Sequence, residues 1–329
     1  MNMLILSCGT RNKIVQYFVQ EFKGFGEVIA TDCSEMAPAI YDADKYYIVP
    51  TIDSDGYLDT ILQICHDNNV SMVTSLIDPE LSVLAKHKER FNNLGTEVLV
   101  SRSELTDLCL DKYAFHNDLK KNSFPVVPTA LNTSYDQIKN DLGDFEYPLF
   151  AKPRDGSASV NMQMIHSSED LDAILNTDND IVIQKYMQGK EFGIDVYVDL
   201  VSQELVSMFI KEKVKMRAGE TDKSIALKND KILELIKSFV ESYQFTGVMD
   251  VDLFEVDDQY FISEVNPRFG GGYPHAYESG LNFPKYILNN IQKASNKQEL
   301  KNYSEGSAMM KYNEVKIVHY DDSKITVDN

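Results

Sequence analysis

Over residues 1–105, short apolar runs alternate with stretches of helical character. The runs Met3–Ser7, Glu27–Thr31, Tyr46–Val49, Met72–Ser75 and Glu97–Val100 read as strands. Lys13–Phe22, Leu58–Asp67 and Pro79–Asn93 read as the helices between them. Strands alternating with helices imply a parallel, doubly wound sheet. Ligands of such sheets sit at the carboxyl ends of strands. There the turn Cys8-Gly9-Thr10-Arg11 follows the first strand, Asp32 ends the second, and Asp78 and Glu80 follow the fourth. No GxGxxG follows the first strand, so a dinucleotide fingerprint is absent. The three acids read as helix N-caps and first-turn charges.

Beyond residue 105 the pattern changes to strands paired through turns. Ser101–Leu110 reads as a linker helix, and Asp111-Lys112 opens another. Ser123–Thr129, with Pro125 and Pro128, is extended, because proline is excluded from a helix interior. Tyr147–Arg154 and Asp180–Tyr186 read as strands; Phe192–Leu200 and Glu204–Lys211 read as a hairpin around Ser202-Gln203. Lys213–Lys223 reads as a basic loop, Ile225–Tyr243 as an amphipathic helix, and Phe283–Ile291 as a packing helix. Ala294–Gly306 reads as loop, Met309–His319 as a last strand, and the final ten residues as a loose or edge element.

The stretch Gly247–Gly272 is the most informative. Val248–Val256 and Tyr260–Val265 alternate as strands around an Asp257-Asp258 turn signal. A three-residue connection, Asp257 to Gln259, sets Asp252 opposite Glu264. One face then carries Asp250, Asp252, Glu264 and Asn266, and the other Met249, Val251, Leu253, Phe261 and Val265. A slip of one residue would invert every side chain, so the segregation of acids from apolar residues selects this register. The oxygen-rich face is either a solvated acidic surface or a site for a hard cation such as Mg²⁺. The continuation Asn266-Pro267-Arg268-Phe269 and three glycines adds a guanidinium suited to phosphate or carboxylate, and backbone that approaches a ligand closely.

A formal net charge of -19 argues against a nucleic-acid footprint and against anionic membrane surfaces. No segment reaches the apolar length of a membrane span. The N-terminus has no basic region before its apolar run, and Cys8, Cys33, Cys65 and Cys109 show no close pairing. Reduced thiols and a cytoplasmic location are the expectation.

The pattern Asp252 … Glu264-x-Asn266-x-Arg268 resembles the metal-binding end of the ATP-grasp superfamily, in its carbamoyl-phosphate-synthase-large-subunit-like and carboxylate–amine ligase branch. That resemblance implies an α/β chain in three parts. Residues 1–105 would form a preATP-grasp domain with a doubly wound parallel sheet. Residues 106–186 would form an ATP-grasp subdomain with a phosphate flap, and 187–329 a second α+β subdomain with lid and metal site. It implies that Lys112, Lys152 and Ser157 in the flap contact phosphates, and that Gln184, Lys185 and Tyr186 border adenine. Glu191 would bind ribose, and Lys211 and Arg217 would close a lid over the triphosphate. Asp252, Glu264 and Asn266 would hold Mg²⁺ or Mn²⁺, and Arg268 would stabilise an anionic intermediate. His275 and Glu278 would lie near the γ-phosphate. The implied activity is ATP-dependent activation of a small-molecule carboxylate as an acyl phosphate, followed by capture by an amine. Carboxyphosphate and carbamate chemistry, or a nucleotide sensor without turnover, are the alternatives. A homodimer is a family expectation.

Overall fold

The structure is a computed structural model and describes residues 1–156, 162–177 and 180–318. Its first layer is built from β1 (Asn2–Leu6), α1 (Asn12–Phe22), β2 (Val28–Asp32), β3 (Lys45–Ile48), α2 (Tyr57–Asp67), β4 (Val70–Ser75), α3 (Asp78–Lys86), α4 (Lys88–Asn92) and β5 (Glu97–Val98). The strands are parallel and ordered β3-β2-β1-β4-β5. β1 is apolar from Met3 to Leu6 because both its faces are covered there. Met3 and Ile5 pack on the side of α1, Leu4 and Leu6 on the side of α2. The single helix expected over 79–93 is broken at His87, whose φ of -111° and ψ of 15° leave the helical region. Strand order reverses between β1 and β4, which opens a crevice at their carboxyl ends.

The second unit runs through α5 (Ser103–Leu110), α6 (Lys112–Lys121), β6 (Thr129–Leu131), α7 (Tyr135–Leu142), β7 (Leu149–Pro153), β8 (Gln163–Ile165), α8 (Ser168–Leu175) and β9 (Ile181–Lys185). Its four strands pair antiparallel in the order β6-β9-β7-β8. Ile138, Leu142, Leu171 and Ile174 of the two covering helices fill one core with Leu149 and Ile183. Each of those helices starts at a serine whose hydroxyl accepts from the backbone three residues on, Ser134 for α7 and Ser167 for α8.

The third unit contains β10 (Lys190–Val198), β11 (Leu205–Arg217), β12 (Glu220–Ala226), α9 (Asp230–Tyr243), β13 (Gly247–Val256), β14 (Gln259–Asn266), α10 (Tyr273–Glu278), α11 (Phe283–Ile291) and β15 (Ala308–Met310). Its antiparallel sheet has the order β14-β13-β10-β11-β12-β15. One face buries Ile194, Val196, Met208, Ile210, Met249, Val251, Leu253, Ile262 and Val265 under α9 and the linker helices. The other face is divided. Its far end, with Tyr197, Phe209 and Val248, packs on α1, α10 and α11, and its near end is charged.

Several expectations are corrected here. The basic stretch expected as a loop over 213–223 is the tip of the β11–β12 hairpin, turning at Ala218-Gly219. The helix expected from Ile225 begins at Asp230, because Ile225 and Ala226 pair with Glu212 and Lys211. The last strand ends at Met310; the described residues 311–318 lie outside any strand.

The β13–β14 hairpin has Asp252 opposite Glu264 by a different route from the expected one. Val256 pairs with Gln259, so the turn has two residues, Asp257 and Asp258, both left-handed at φ 51° and 61°. Ser263 is then an extra residue, a bulge that moves the register by one between Leu253–Ile262 and Asp252–Glu264. Ile262 therefore enters the core in place of the expected Phe261, which pairs with Phe254.

Candidate active site

The charged near end of the six-stranded sheet collects side chains from four neighbouring strands. Cross-strand pairing places Asp250 beside Asn266 and Asp195, and Asp252 beside Glu264 and Gly193. Lys211 pairs with Gly193 on the other side, and Lys213 follows two residues along the same face. Gly193 makes room for both lysine stems: a Cβ there would lie 3.1 Å from Cε of Lys213 and 3.2 Å from that of Lys211. Lys211 Nζ is 2.5 Å from Asp195 Oδ2, with both side chains 1 % exposed. Lys213 Nζ is shared between Asp252 Oδ1 at 2.5 Å and Glu191 Oε1 at 3.0 Å. Burial works against the Lys213 charge, but Asp252 and Glu191 outweigh it and hold the lysine protonated. Asp252 is pushed up by burial and by Asp250 and Glu191, since one lysine serves several acids.

The second unit reaches this face with two more lysines. Lys152, near the end of β7, lies 3.4 Å from Glu264 Oε2. Lys112, the first residue of α6, donates to the carbonyl oxygen of Gly156 at 2.6 Å. Burial lowers its proton affinity, with Lys152 adding to the effect and Glu264 opposing it. Glu264 is partly buried, yet Lys152 and Lys112 bring its carboxyl below the usual range. The position of Lys112 is fixed by its neighbour: Asp111 caps α6 through Tyr113 and Ala114, both at 3.0 Å. The same carboxylate takes Arg154 in a fork, Nε at 2.9 Å and Nη2 at 2.6 Å, tying α6 to the end of β7. Ser157, expected in the flap, lies outside the described residues.

The loop after β14 lies flat against the acidic end. A Cβ on Gly270 would fall 2.3 Å from Cγ of Asp250, and one on Gly271 would fall 2.7 Å from Cδ of Glu220. Only glycine allows that approach. Arg268, in the same loop, is 8 % exposed and reaches across to the first layer. Its Nε and Nη2 donate to Asp78 Oδ2 at 3.0 and 2.7 Å, and Nη1 donates to the Phe269 carbonyl at 3.0 Å. Asp78, expected as a first-turn charge, is thus an ion-pair partner across the two units. Glu80 is buried, accepts from the hydroxyls of Tyr57 and Ser75, and is pushed up to about 8 chiefly by burial. Asp32 accepts from the backbone of Gly9 at 2.8 Å and of Ser34 at 3.0 Å.

Other expected residues are placed elsewhere. Arg217, at the tip of β11, is half exposed and pairs with Asp222 at 3.2 Å, outside the lysine–acid cluster. Lys211 is enclosed with Asp195, so its geometry suits holding the sheet together and not covering a ligand. Gln184 donates to Thr129 at 2.8 Å and Lys185 to the Asp144 carbonyl at 2.7 Å, both within the four-stranded unit, while Tyr186 is exposed. His275 is buried between Ser224 at 2.8 Å and Ser307 at 3.1 Å, and burial lowers it to about 4. Glu278 accepts from Tyr17 at 2.8 Å. Neither is held at the acids, because α10 turns its polar residues toward β12 and α1. Asp195 and Lys213 are the residues sequence reasoning passed over, and alternation with Glu191 and Lys211 along β10 and β11 is the signal that reaches them.

The donor set fits a hard divalent cation. Asp252, Glu264 and Asn266 offer carboxylate and amide oxygens on one face, and two ammonium groups already stand against the two carboxylates. Among the described residues no three acids, histidines or cysteines close around a point. An ion here would therefore complete its shell with Asn266, water and phosphate oxygens, as Mg²⁺ does. All four cysteines are free. No described helix is long and apolar enough to cross a membrane.

Comparison with known proteins agrees with this architecture. Residues 3–99 match the PylC-like N-terminal domain and residues 109–272 match the ATP-grasp domain. The carbamoyl phosphate synthase large chain of Agathobacter rectalis is 20% identical over 276 residues, covering 77% of this chain and 24% of that protein. The chain thus spans about a quarter of the length of the carbamoyl phosphate synthase relatives it matches. N5-carboxyaminoimidazole synthetase from Staphylococcus aureus, complexed with ADP, superposes with a TM-score of 0.73 at 20% identity, over 90% of this chain and 78% of that one. The biotin carboxylase domain dimer of 2-oxoglutarate carboxylase from Hydrogenobacter thermophilus, in complex with MgADP, ADP and bicarbonate, gives 0.73 at 14% identity, over 93% and 73%. With a parallel-sheet first layer, two antiparallel sheets after it and both domain matches in sequence, the chain belongs to the ATP-grasp superfamily.

Proposed function

We propose that the chain is an ATP-dependent ligase that activates a small-molecule carboxylate as an acyl phosphate and joins it to an amine. The observation that carries this reading is the meeting of Lys112 and Lys152 from the second unit with Asp252, Glu264 and Asn266 from the six-stranded sheet. Cations from one side and oxygen ligands from the other are what a triphosphate with its metal requires. Lys152 and Lys112 hold the phosphates, and Glu191 takes the ribose hydroxyls when it leaves Lys213. The backbone at Gln184, Lys185 and Tyr186 borders adenine, and Arg217 serves as a cation at the rim. Mg²⁺ or Mn²⁺, held by Asp252, Glu264 and Asn266, would neutralise charge on the β- and γ-phosphates.

The carboxylate oxygen attacks the γ-phosphorus, and the bond from that phosphorus to ADP breaks. The amine then attacks the acyl carbon, loses a proton and expels phosphate. Arg268, at the mouth of the first layer, stabilises the anionic acyl phosphate. No protein nucleophile is needed. A second reading takes bicarbonate as the carboxylate, supported by the likeness to carbamoyl phosphate synthase and to a biotin carboxylase domain crystallised with bicarbonate.

The test is ADP release from the purified protein with ATP and Mg²⁺, against pools of carboxylates with and without pools of amines. Release that needs both pools supports the ligase. Stimulation by bicarbonate alone moves the chemistry to carboxyphosphate. Flat release in every pool sinks both readings.

A further inference from the structure

Along β11 and β12, no side chain of residues 211–225 joins an apolar core among the described residues. Val214, Met216 and Ile225 are exposed there. The arm that carries Arg217 is therefore held by its own ladder and by charge, not by apolar packing. A segment with so few apolar contacts opens at low cost.

The charges lead to one place on the first layer. Arg11, in the turn after β1, reaches Glu220 at the start of β12, Nη2 to Oε1 at 2.9 Å. Glu220 also takes Lys311 Nζ at 2.8 Å, and the backbone of Lys311 donates to the Asp222 carbonyl at 2.9 Å. From there the chain leaves the sheet edge, and Lys316 pairs with Asp42 at the end of the short helical turn Pro38–Asp42. Asn12 donates to the other oxygen of Asp42 at 2.5 Å, so the two landing points, Arg11 and Asp42, are joined through neighbouring residues. The chain after β15 thus ties the arm to the first layer alongside the direct pair of Arg11 with Glu220.

These ties differ from the pair of Arg268 with Asp78. Those two side chains are 8 % and 9 % exposed, and separating them strands two buried charges. The members of Arg11–Glu220, Lys311–Glu220 and Lys316–Asp42 are 11–31 % exposed, so water and salt replace each partner at little cost. The junction stays joined at Arg268 while its outer edge is free to part. In the position held by these ties, Arg217 pairs with Asp222 outside the lysine–acid cluster.

We infer that residues 311–316 form an electrostatic latch that holds the Arg217-bearing arm on the first layer, away from the cleft. Release of Lys316 from Asp42 frees the arm. The inference rests on the ligase reading only for what the arm meets after release; the latch itself does not depend on turnover.

The experiment measures the distance between arm and first layer in the full chain by double electron–electron resonance. Spin labels are placed on Gln63→Cys, exposed on α2, and on Lys215→Cys, exposed on the arm, in a Cys33→Ser background because the other three cysteines are buried. The intact latch gives mainly one distance. Lys316→Glu, which turns an attraction into a repulsion, raises the ratio of released to latched arm by roughly tenfold. In an Asp42→Asn background the same substitution changes that ratio by less than about twofold. Sodium chloride at about 1 M, with a screening length of about 3 Å, shifts the parent in the direction of Lys316→Glu. The same distances in the parent and in Lys316→Glu overturn the latch, as does a Lys316→Glu effect undiminished without Asp42, or a parent that ignores salt. ADP release in the substrate pools with no change at the arm would keep the ligase and remove the latch. A released arm with flat ADP release would do the reverse.

Discussion

Lys211 and Lys213 project from the same face of one strand, two residues apart, over the same glycine, and they serve different ends. Lys211 meets a single carboxylate, Asp195, and neither side chain is open to solvent. Lys213 is shared between Glu191 and Asp252, which are 29% and 19% exposed. The first pair is closed: its attraction is used up within the sheet, and removing either partner strands a buried charge. The second group is open. It has more acid than lysine, its acids face the cleft, and an incoming cation can take the lysine's place. One strand thus carries a fastening and an exchangeable counter-ion side by side, and what separates them is whether the partner acid can be reached.

The sharpest way to break that comparison is at Glu264. Glu264→Gln is expected to lower ADP release by roughly two to three orders of magnitude, the several kcal/mol that a bound metal contributes. The melting temperature should stay near that of the parent, because Glu264 is paired only at 3.4 Å. A large loss of stability would move Glu264 to the closed class.

Lys211→Met should do the opposite. Leaving Asp195 buried without its partner is expected to cost about 3–5 kcal/mol in urea unfolding. A variant as stable as the parent would show that the enclosed pair does not fasten the sheet. Lys213→Met should cost less, and thermal scans should show a larger stabilisation by Mn²⁺ than in the parent, since Asp252 and Glu191 lose their internal cation. If Mn²⁺ stabilises both proteins equally, the exchange idea fails.

Two buried groups set opposite pH limits on stability. Glu80 has its proton affinity raised to about 8 from 4.5, so the folded state holds more protons than the unfolded one between those values. Its contribution is full below 4.5 and is lost as pH rises toward 8. His275 is lowered to about 4 from 6.5, so the unfolded state takes up more protons across that window and stability falls as pH drops through it. Glu80→Gln should therefore flatten the alkaline side of a stability–pH curve measured by urea unfolding, with the acidic side retained. An unchanged alkaline slope would remove Glu80 from the account. The smallest effect is expected at Arg217→Ala, within about 0.5 kcal/mol by the same measurement, as for exposed ion pairs in general.

Much of this was legible in the chain. The alternation of β13 and β14 places Asp252 opposite Glu264, because a slip would bury acids and expose Val251 and Val265. The parallel first layer follows from the apolar runs, and the cap at Asp111 from its position before a helix. Other features were not legible, for identifiable reasons. Lys213 sits among so many charged residues that the last third of β11 resembled a loop, although its cross-strand partners are what hold it extended. The ion pair of Arg268 with Asp78 joins positions 190 residues apart, and nothing local in either segment signals the other. His275 looked like a ligand-facing group because it follows the glycine loop; two serines and the ring of Phe209 enclose it instead. Ser263, a small polar residue on an edge strand, carries no sign that it is the extra one.

That bulge bears on how such a hairpin can vary among lineages. The pairing near the turn and the pairing near the acids are one residue out of step, and Ser263 alone absorbs the difference. Residues can be gained or lost in matched pairs across the two strands on the turn side, with Glu264 and Asn266 still facing the cleft. A single deletion between Asp252 and Glu264 must instead remove the bulge, or it turns the side chains of Glu264 and Asn266 into the core. Length in this segment is therefore inherited with a parity, and a relative with an odd change in turn length should have lost or moved its bulge to match.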